Sequence, residues 1–269
     1  MTARRMLGAV LVSVGVTLLA ISAHGVFFDP YDRPPGADGY AATIDRIDYS
    51  VADAPEVNYQ TLAEITSAYA DGIEYKWPEE RAQVALTDNW IMHLMAYLDR
   101  PLNALGLTNV ENLFSAYESI SYKRALGRGF GICSQNSLGL VSLLDRRYGI
   151  ESDVITLGGH VVVESGGYLL DPSIGLSFPF PLSEAEKREE NNGAISAAYT
   201  DHLARYGKLG ATYNSSGNVR TDGVREYRSK IYWLERASLY LKWLVPAMLV
   251  LLGGWLLTGN RASNTTAAH

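Results

Sequence analysis

Cysteine is nearly absent from this chain of 269 residues, in which Cys133 is the only one. A single cysteine cannot form an intrachain disulfide, so the fold contains no covalent cross-link of that kind. The five histidines do not combine with cysteine or aspartate at the spacing of a zinc site. We therefore expect no metal and no other cofactor, while a requirement for calcium stays open.

Basic residues are also few in relation to acidic ones. The chain has 23 lysines and arginines against 29 aspartates and glutamates, and its net charge is −6 at pH 7. All of the acidic residues lie within residues 29–235. An acidic surface repels phosphate backbones, so we expect no nucleic-acid partner.

Charged residues are absent from Met6 to Phe28, a long apolar run that Arg4 and Arg5 precede. Such a run can cross a hydrocarbon core of roughly 30 Å. A cleaved signal peptide is the alternative, because residues 20–23 offer small side chains near a cleavage point. The run continues through Phe28, which favours a retained anchor over residues 1–28.

A second apolar segment covers residues 239–258, where Lys242 is the only charge. A buried core helix is the alternative, but so uniform a stretch is more typical of a membrane span. Arg4 and Arg5 favour a cytoplasmic N-terminus, and two crossings then return the tail, residues 259–269, to the same side. We expect a protein of the bacterial inner (plasma) membrane that contacts lipid through two spans and has its domain in the periplasm or outside the cell.

Between the spans, residues 29–57 are rich in proline, glycine and aspartate and predict a linker to a domain over residues 58–238. Apolar residues at helical spacing predict several helices in this domain. They cover residues 58–75, 77–100, 110–119, 134–148 and 225–239, and the last helix runs on into the second span.

The hydrophobic period changes from that of a helix to that of a strand after Gly149. Short runs rich in β-branched residues cover residues 153–157, 160–165 and 168–171, and a pair of glycines separates each run from the next. The polar segment 181–222 predicts a helix followed by a loop.

Cys133 lies in the run Gly129-Phe-Gly-Ile-Cys-Ser-Gln-Asn136, immediately before a helical pattern. Backbone N–H groups and the positive end of the helix dipole at this position favour a thiolate and can also stabilise an oxyanion. A lone cysteine is more often a packing residue. The His160 and Asp171 that follow favour chemistry instead, because an imidazole and a carboxylate are the partners that an activated thiolate needs.

The Gly166-Gly167 pair predicts a two-residue turn in which Ser165 opposes Tyr168. Asp171 then faces Val162, so His160 and Asp171 are diagonal neighbours on one face of the sheet. If this face covers the Cys133 helix, the three groups form a catalytic triad.

These motifs resemble the transglutaminase-like superfamily of papain-like thiol enzymes. The resemblance rests on Gly-Ile-Cys133-Ser, on Gly-His160-Val-Val-Val-Glu and on Tyr-Leu-Leu-Asp171-Pro, and covers about residues 120–175. It implies an α+β fold, with the cysteine helix packed on a small antiparallel sheet. It also implies that Cys133 is the nucleophile, His160 the general acid and base, and Asp171 the carboxylate that orients the imidazole.

An oxyanion hole needs a second donor besides the Cys133 backbone, and no motif identifies it. The candidates are Gln60, Asn89 and Trp90. The expected activity is cleavage of an amide bond in a protein or peptide substrate, such as one of the cell envelope, with acyl transfer less favoured. The alternative is a non-catalytic scaffold or binding module of an envelope or polysaccharide assembly.

Overall fold

The computed structural model describes residues 2–31, 37–52, 57–76, 84–106, 117–202, 213 and 217–258. It has an α+β architecture with a five-stranded antiparallel sheet. The chain divides into two compact units. The helical unit comprises residues 1–30, 80–117 and 233–269, and the α+β unit comprises residues 31–79 and 118–232. Residues 80–117, which fall within the range 58–238 predicted as a domain, are grouped with the helical unit.

Three helices form the described part of the helical unit: α1 (Ala3–Phe27), α4 (Trp90–Ala104) and most of the last helix, α10 (Ser229–Thr258). Within them, Ala3–Phe27 and Ile231–Thr258 are long and apolar enough to cross a membrane. The predicted tail, residues 259–269, lies outside the described residues.

Helices α1 and α10 pack against each other through small residues. A Cβ at Gly8 would lie 2.8 Å from the carbonyl oxygen of Gly253, and a Cβ at Gly15 would lie 2.7 Å from that of Pro246. Further along, the Ser22 hydroxyl donates to the Lys242 carbonyl at 3.2 Å. As residue numbers rise in α1 they fall in α10, so the pair is antiparallel. Side-chain-free positions let the two backbones approach, as in tightly packed membrane helices.

Helix α4 begins later and ends later than its sequence predicts. Its predicted start at residue 77 lies outside the described residues, but the chain forms a turn before Trp90, and Asn89 caps the helix by accepting from the Met92 amide at 3.2 Å. The predicted end at Pro101 is wrong, since the helix continues to Ala104. Proline removes one intrahelical hydrogen bond, and a final turn survives that loss.

The α+β unit begins with a helix where a linker was predicted. Helix α2 (Tyr40–Ala52) packs on α3 (Tyr59–Asp71), and its Ile44 and Ile47 are buried in the core. The segment is rich in turn-forming residues, but its apolar residues recur at helical spacing. This spacing is enough to form a helix once α3 covers the apolar side. The rest of residues 29–57 is irregular or undescribed.

Helix α5 (Tyr122–Arg128) ends at Gly129, which adopts the left-handed conformation with φ of 72°. A two-residue strand, β2 (Phe130–Gly131), follows and pairs in parallel with β1 (Glu74–Tyr75). The chain then enters α6 (Cys133–Leu143), which one π-helical turn extends to Tyr148 before the predicted stop at Gly149. Helix α6 is the central helix of this unit, because every residue from Ser134 to Leu143 is buried.

The sheet has the strand order β6-β5-β4-β3-β7. The three predicted strands are confirmed, and Ser165 pairs with Tyr168 as the two-residue turn requires. Strand β7 was predicted to be a loop, but it pairs antiparallel with β3. The strands are β3 (Ser152–Leu157), β4 (His160–Ser165), β5 (Tyr168–Asp171), β6 (Leu176–Phe178) and β7 (Val219–Asp222).

Both faces of the sheet are covered, and each has its own apolar core. One face, with Val161 and Val163, packs with α6 in the first core cluster. The other face, with Val162 and Leu169, packs in the second cluster with side chains from α7 (Leu182–Ala185) and α8 (Glu189–His202). Strand β4 is therefore buried along its whole length. The last short helix, α9 (Gly223–Tyr227), lies against α6 and β3.

Candidate active site

Cys133 is the first residue of α6, and its side chain is partly exposed. The first N–H groups of a helix have no intrahelical acceptor, so they can serve an anion at this position. Gly131 allows the turn into the helix to be tight, because a Cβ there would lie 2.7 Å from side-chain atoms of Gln135 and Asn136. The thiol thus has a solvent-accessible place at a helix N-terminus.

His160 begins β4 and is almost fully buried, with 1% of its surface exposed. Its Nε2 lies 2.7 Å from Oδ2 of Asp171. The other ring nitrogen, Nδ1, is buried and has no hydrogen-bond partner among the described residues. Burial alone disfavours a charged imidazolium, but the charge and hydrogen bond of Asp171, followed by the influence of the Cys133 thiol, raise the pKa of His160. Nδ1 is therefore the nitrogen available to the thiol.

Asp171 ends β5 and is completely buried. Besides His160, it accepts a hydrogen bond from the Tyr199 hydroxyl on Oδ2 and one from the Ser173 amide on Oδ1 at 2.9 Å. Burial by itself opposes the charged carboxylate. The attraction to His160 and these hydrogen bonds outweigh burial and lower the pKa of Asp171. A buried carboxylate with this many donors is held charged and fixed in orientation.

The face of the sheet that carries His160 and Asp171 differs from the expected one. His160 pairs with Leu157 and therefore shares its face, which belongs to the second core cluster. Helix α6 packs on the opposite face. The condition that the His160 face covers α6 is thus not met. His160 is the first residue of β4, so its imidazole lies at the end of the strand rather than in the middle of that face.

Tyr199 and Tyr213 lie on this second face and interact with the His160–Asp171 pair or with each other. The Tyr199 ring meets His160 edge-on, with 6.3 Å between centroids, while its hydroxyl bonds Asp171. The Tyr213 hydroxyl lies 2.9 Å from that of Tyr199. The two tyrosines therefore extend the His160–Asp171 pair into a buried chain of hydrogen bonds.

A second polar network lies on the helix next to the thiol. The Ser134 hydroxyl donates to Glu118, and Arg228 forms an ion pair with the other oxygen of the same carboxylate. Glu118 is buried, and burial raises its pKa to about 7, against the hydrogen bond from Ser134 and the charge of Arg128. Residues far apart in sequence thus join at the beginning of α6.

Gln135 attaches the segment that carries Glu118 to this helix. Its Oε1 accepts from the Ser119 amide and from Arg128, each at 2.7 Å, and its Nε2 donates to the Ser119 carbonyl at 3.0 Å. Nearby, burial and the negative charges of Glu118 and Cys133 raise the pKa of Tyr227 to about 12. Tyr227 is therefore a further polar group on the Cys133 side of α9.

The oxyanion candidates separate into two groups. The Cys133 backbone is at a helix start, as its proposed role requires. Gln60 is exposed on α3, and its amide donates to Glu64 at 2.9 Å. Asn89 and Trp90 belong to the helical unit, where Asn89 donates to Ser238 at 2.7 Å and the Trp90 indole donates to the Lys242 carbonyl at 3.2 Å. Each of the three candidate side chains thus has a hydrogen-bond partner other than Cys133.

The residues that sequence reasoning missed are Glu118, Gln135, Tyr199, Tyr213, Tyr227 and Arg228. One signal could have revealed Gln135: residues 134–137 are four consecutive polar residues at the start of an otherwise apolar helix. Buried polar side chains need hydrogen-bond partners. The two tyrosines lie in a polar segment whose spacing does not relate them to Asp171.

Among the described residues, no group of three or more histidine, cysteine, aspartate or glutamate side chains could hold a metal ion. Comparison with protein-family models, with curated proteins and with solved structures gave no match to this chain.

Proposed function

We propose that this chain is a transglutaminase-like thiol enzyme that acts on an amide bond of a protein or peptide substrate. The observation that carries the proposal is the contact of the His160 imidazole with Asp171 at 2.7 Å on Nε2, with Nδ1 left for Cys133 at the start of α6. A thiolate, an imidazole and an orienting carboxylate are the parts of nucleophilic acyl transfer.

The Cys133 sulfur attacks the carbonyl carbon and forms a tetrahedral oxyanion, which the N–H groups at the start of α6 stabilise. The protonated Nδ1 of His160 then gives its proton to the departing amine as the carbon–nitrogen bond breaks. A thioester remains on Cys133. Water attacks this thioester, His160 accepts a proton from the water, and the carboxylic acid leaves as the thiol is restored.

Hydrolysis is proposed in preference to transfer of the acyl group to a second amine. The α+β unit is small, and its described residues are accounted for by the sheet, the surrounding helices and their cores. No separate module for an amine donor is evident in this part of the chain.

The membrane part of the proposal places the enzyme in a bacterial plasma membrane. Helices α1 and α10 have the length and hydropathy of spans, and they are antiparallel. Arg4 and Arg5 lie in the first turn of α1 and favour a cytoplasmic N-terminus, which leaves the α+β unit outside the cytoplasm. A substrate of the cell envelope fits that location.

A thiol-reactive probe gives a site-specific test, because Cys133 is the only cysteine. Iodoacetamide-alkyne should label the wild-type protein in membranes quickly, and His160→Ala should slow the labelling strongly while the protein remains folded by circular dichroism. Ser50→Ala, a change at an exposed hydroxyl on α2, is the matched control and should label like the wild type.

Cleavage of a peptide library by the full-length protein completes the test. Cys133→Ser and His160→Ala should each abolish cleavage. Cleavage that survives in Cys133→Ser would exclude the thiol mechanism. If the wild type is labelled slowly and His160→Ala is labelled at the same rate, a non-catalytic scaffold of an envelope assembly is favoured.

A further inference from the structure

Helix α4 exposes a stripe of apolar side chains along its length. Leu94, Tyr97, Leu98 and Leu105 are between 49% and 70% exposed, and Pro101 is exposed among them. Their spacing of three and four residues places them on one face of the helix. We refer to these five residues as the α4 stripe.

The opposite side of α4 is packed against the protein. Met92, Ala96 and Asp99 are buried on that side, with at most 4% of each residue exposed. Arg100 is also exposed, but it lies outside the stripe. The helix therefore has one face turned to the protein and an apolar face turned away from it.

The beginning of α4 is attached to α10 by three polar contacts. Asn89 donates to Ser238, the Trp90 indole donates to the Lys242 carbonyl, and the Lys242 ammonium donates to the Asp88 carbonyl at 2.6 Å. Lys242 is consequently 8% exposed rather than extended into solvent. These contacts fix the start of α4 at the level of Lys242.

The same level lies near the end of α1. A Cβ at Gly25 would overlap the carbonyl of Thr87, in the turn that precedes α4, and α1 ends at Phe27. At 1.5 Å per residue, Gly25 is only about one half-turn from that end. The start of α4 therefore lies at the depth where a membrane span meets the headgroups.

The surfaces around this level are apolar as well. Val26, Phe27 and Phe28 of the α1 end are more than 60% exposed, as is Tyr240 of α10. Aromatic side chains at the end of a span are typical of the bilayer interface. The α4 stripe is the continuation of this apolar, aromatic-rich end of the helical unit.

We propose that α4 is an interfacial helix whose stripe contacts the outer leaflet of the bilayer that α1 and α10 cross. The inference rests on the membrane location in the proposed function, and it is independent of the thiol chemistry. An amphipathic helix with one apolar face is the element that lies in such an interface. Lipid is favoured over a second copy of the chain. The exposed apolar ends of α1 and α10 lie at the same level as the start of α4, so one bilayer would cover them and the α4 stripe together.

Spin labels at single cysteines test the proposal in the full-length chain, with Cys133→Ala as the background, reconstituted into phosphatidylcholine–phosphatidylglycerol nanodiscs. The label is placed at Leu98→Cys in the stripe and at Arg100→Cys as the matched control on the same helix. Val14→Cys, exposed on α1, is the reference for the span. Collision rates with oxygen, which partitions into lipid, and with a water-soluble nickel chelate are then compared.

The expected result is that oxygen dominates at positions 14 and 98, while the nickel chelate dominates at position 100. If position 14 is in lipid and position 98 is in water, the interfacial helix is wrong while the span stands. If position 98 is shielded from both reagents, a protein contact covers the stripe and the proposal is overturned. If position 14 is in water, the membrane location fails and the inference fails with it.

Discussion

The Ser137 hydroxyl donates a hydrogen bond of 2.9 Å to the carbonyl oxygen of Val161. Ser137 is one helical turn after Cys133, and Val161 directly follows His160. This bond connects α6 to β4 next to the two proposed reacting groups. It therefore holds the helix that carries the thiol in register with the strand that carries the imidazole.

Ser137→Ala should lower the catalytic rate while it lowers the unfolding free energy only slightly. Loss of the bond should cost about 1 kcal/mol of unfolding free energy, the usual net value for one buried hydrogen bond. The rate of Cys133 labelling by iodoacetamide should fall as well, because α6 can shift relative to β4. Ser50→Ala is the control for both measurements, and an unchanged labelling rate in Ser137→Ala would contradict the positioning role.

Tyr199→Phe should weaken catalysis without unfolding the protein. The variant removes one hydrogen bond to the Asp171 carboxylate, worth about 1.5–3 kcal/mol for a charged acceptor. If that stabilisation acts in the transition state, kcat should fall roughly tenfold or more. Tyr213→Phe is the matched control, since the Tyr213 hydroxyl contacts Tyr199, and its effect should be smaller. Equal effects of the two changes would argue against a role through Asp171.

The His160–Asp171 pair should give a stability maximum in mildly acidic solution. The pKa of His160 is raised on folding, so its contribution is complete below the unfolded value of about 6.5 and is lost as the pH rises towards the folded value. The pKa of Asp171 is lowered, so its contribution is complete above about 3.9 and is lost as the pH falls further.

Urea unfolding of the wild type should therefore show the largest contribution of this pair between about pH 4 and 6.5. In Asp171→Asn the decline above that range should largely disappear. His93→Asn is the matched histidine control, which leaves the His160–Asp171 pair intact. A wild-type profile in Asp171→Asn would mean that the pair does not control the pH dependence.

Arg228→Met should destabilise the fold by about 3–5 kcal/mol at pH 8, because it leaves the buried Glu118 carboxylate without its ion-pair partner. The loss should be smaller at pH 5. The pKa of Glu118 is already raised to about 7, so this group can take up a proton there. Unfolding free energies at the two pH values give the measurement. The double variant Glu118→Gln/Arg228→Met should recover much of the lost unfolding free energy. If its loss equals the sum of the losses in the two single variants, the two residues are not directly coupled.

Gly15→Leu should disrupt the packing of α1 on α10. The added side chain would begin 2.7 Å from the Pro246 carbonyl oxygen, so the helices must separate. Thermal unfolding in nanodiscs, followed by the fluorescence of Trp243 and Trp255, should show a lower Tm. The neighbouring Val16 is 52% exposed, and Val16→Leu should be tolerated. An unchanged Tm in Gly15→Leu would show that the two helices do not pack at this position.

Local patterns in the sequence predicted the elements that neighbouring residues control. The Gly166-Gly167 turn sets the pairing of Ser165 with Tyr168, and this pairing alone makes His160 and Asp171 neighbours. The start of α6 at Cys133 is local too, because the preceding glycines and the helical pattern that follows mark it. Such features depend on residues a few positions apart, whose geometry the backbone determines.

Other features depend on which distant segments pack together, and these only the tertiary structure decided. Glu118 meets Arg228 from 110 residues away, Tyr199 of helix α8 reaches Asp171 of strand β5, and α6 packs on the face of the sheet opposite His160. Strand β7 forms because β3 offers it an edge, although three of its four residues are polar. The sequence by itself therefore determined the candidate nucleophile, the hairpin and the two apolar helices, since each follows from short-range geometry and composition. The buried partners of the His160–Asp171 pair were decided by packing across the fold, where any polar residue can be satisfied by a donor or acceptor from a remote part of the chain.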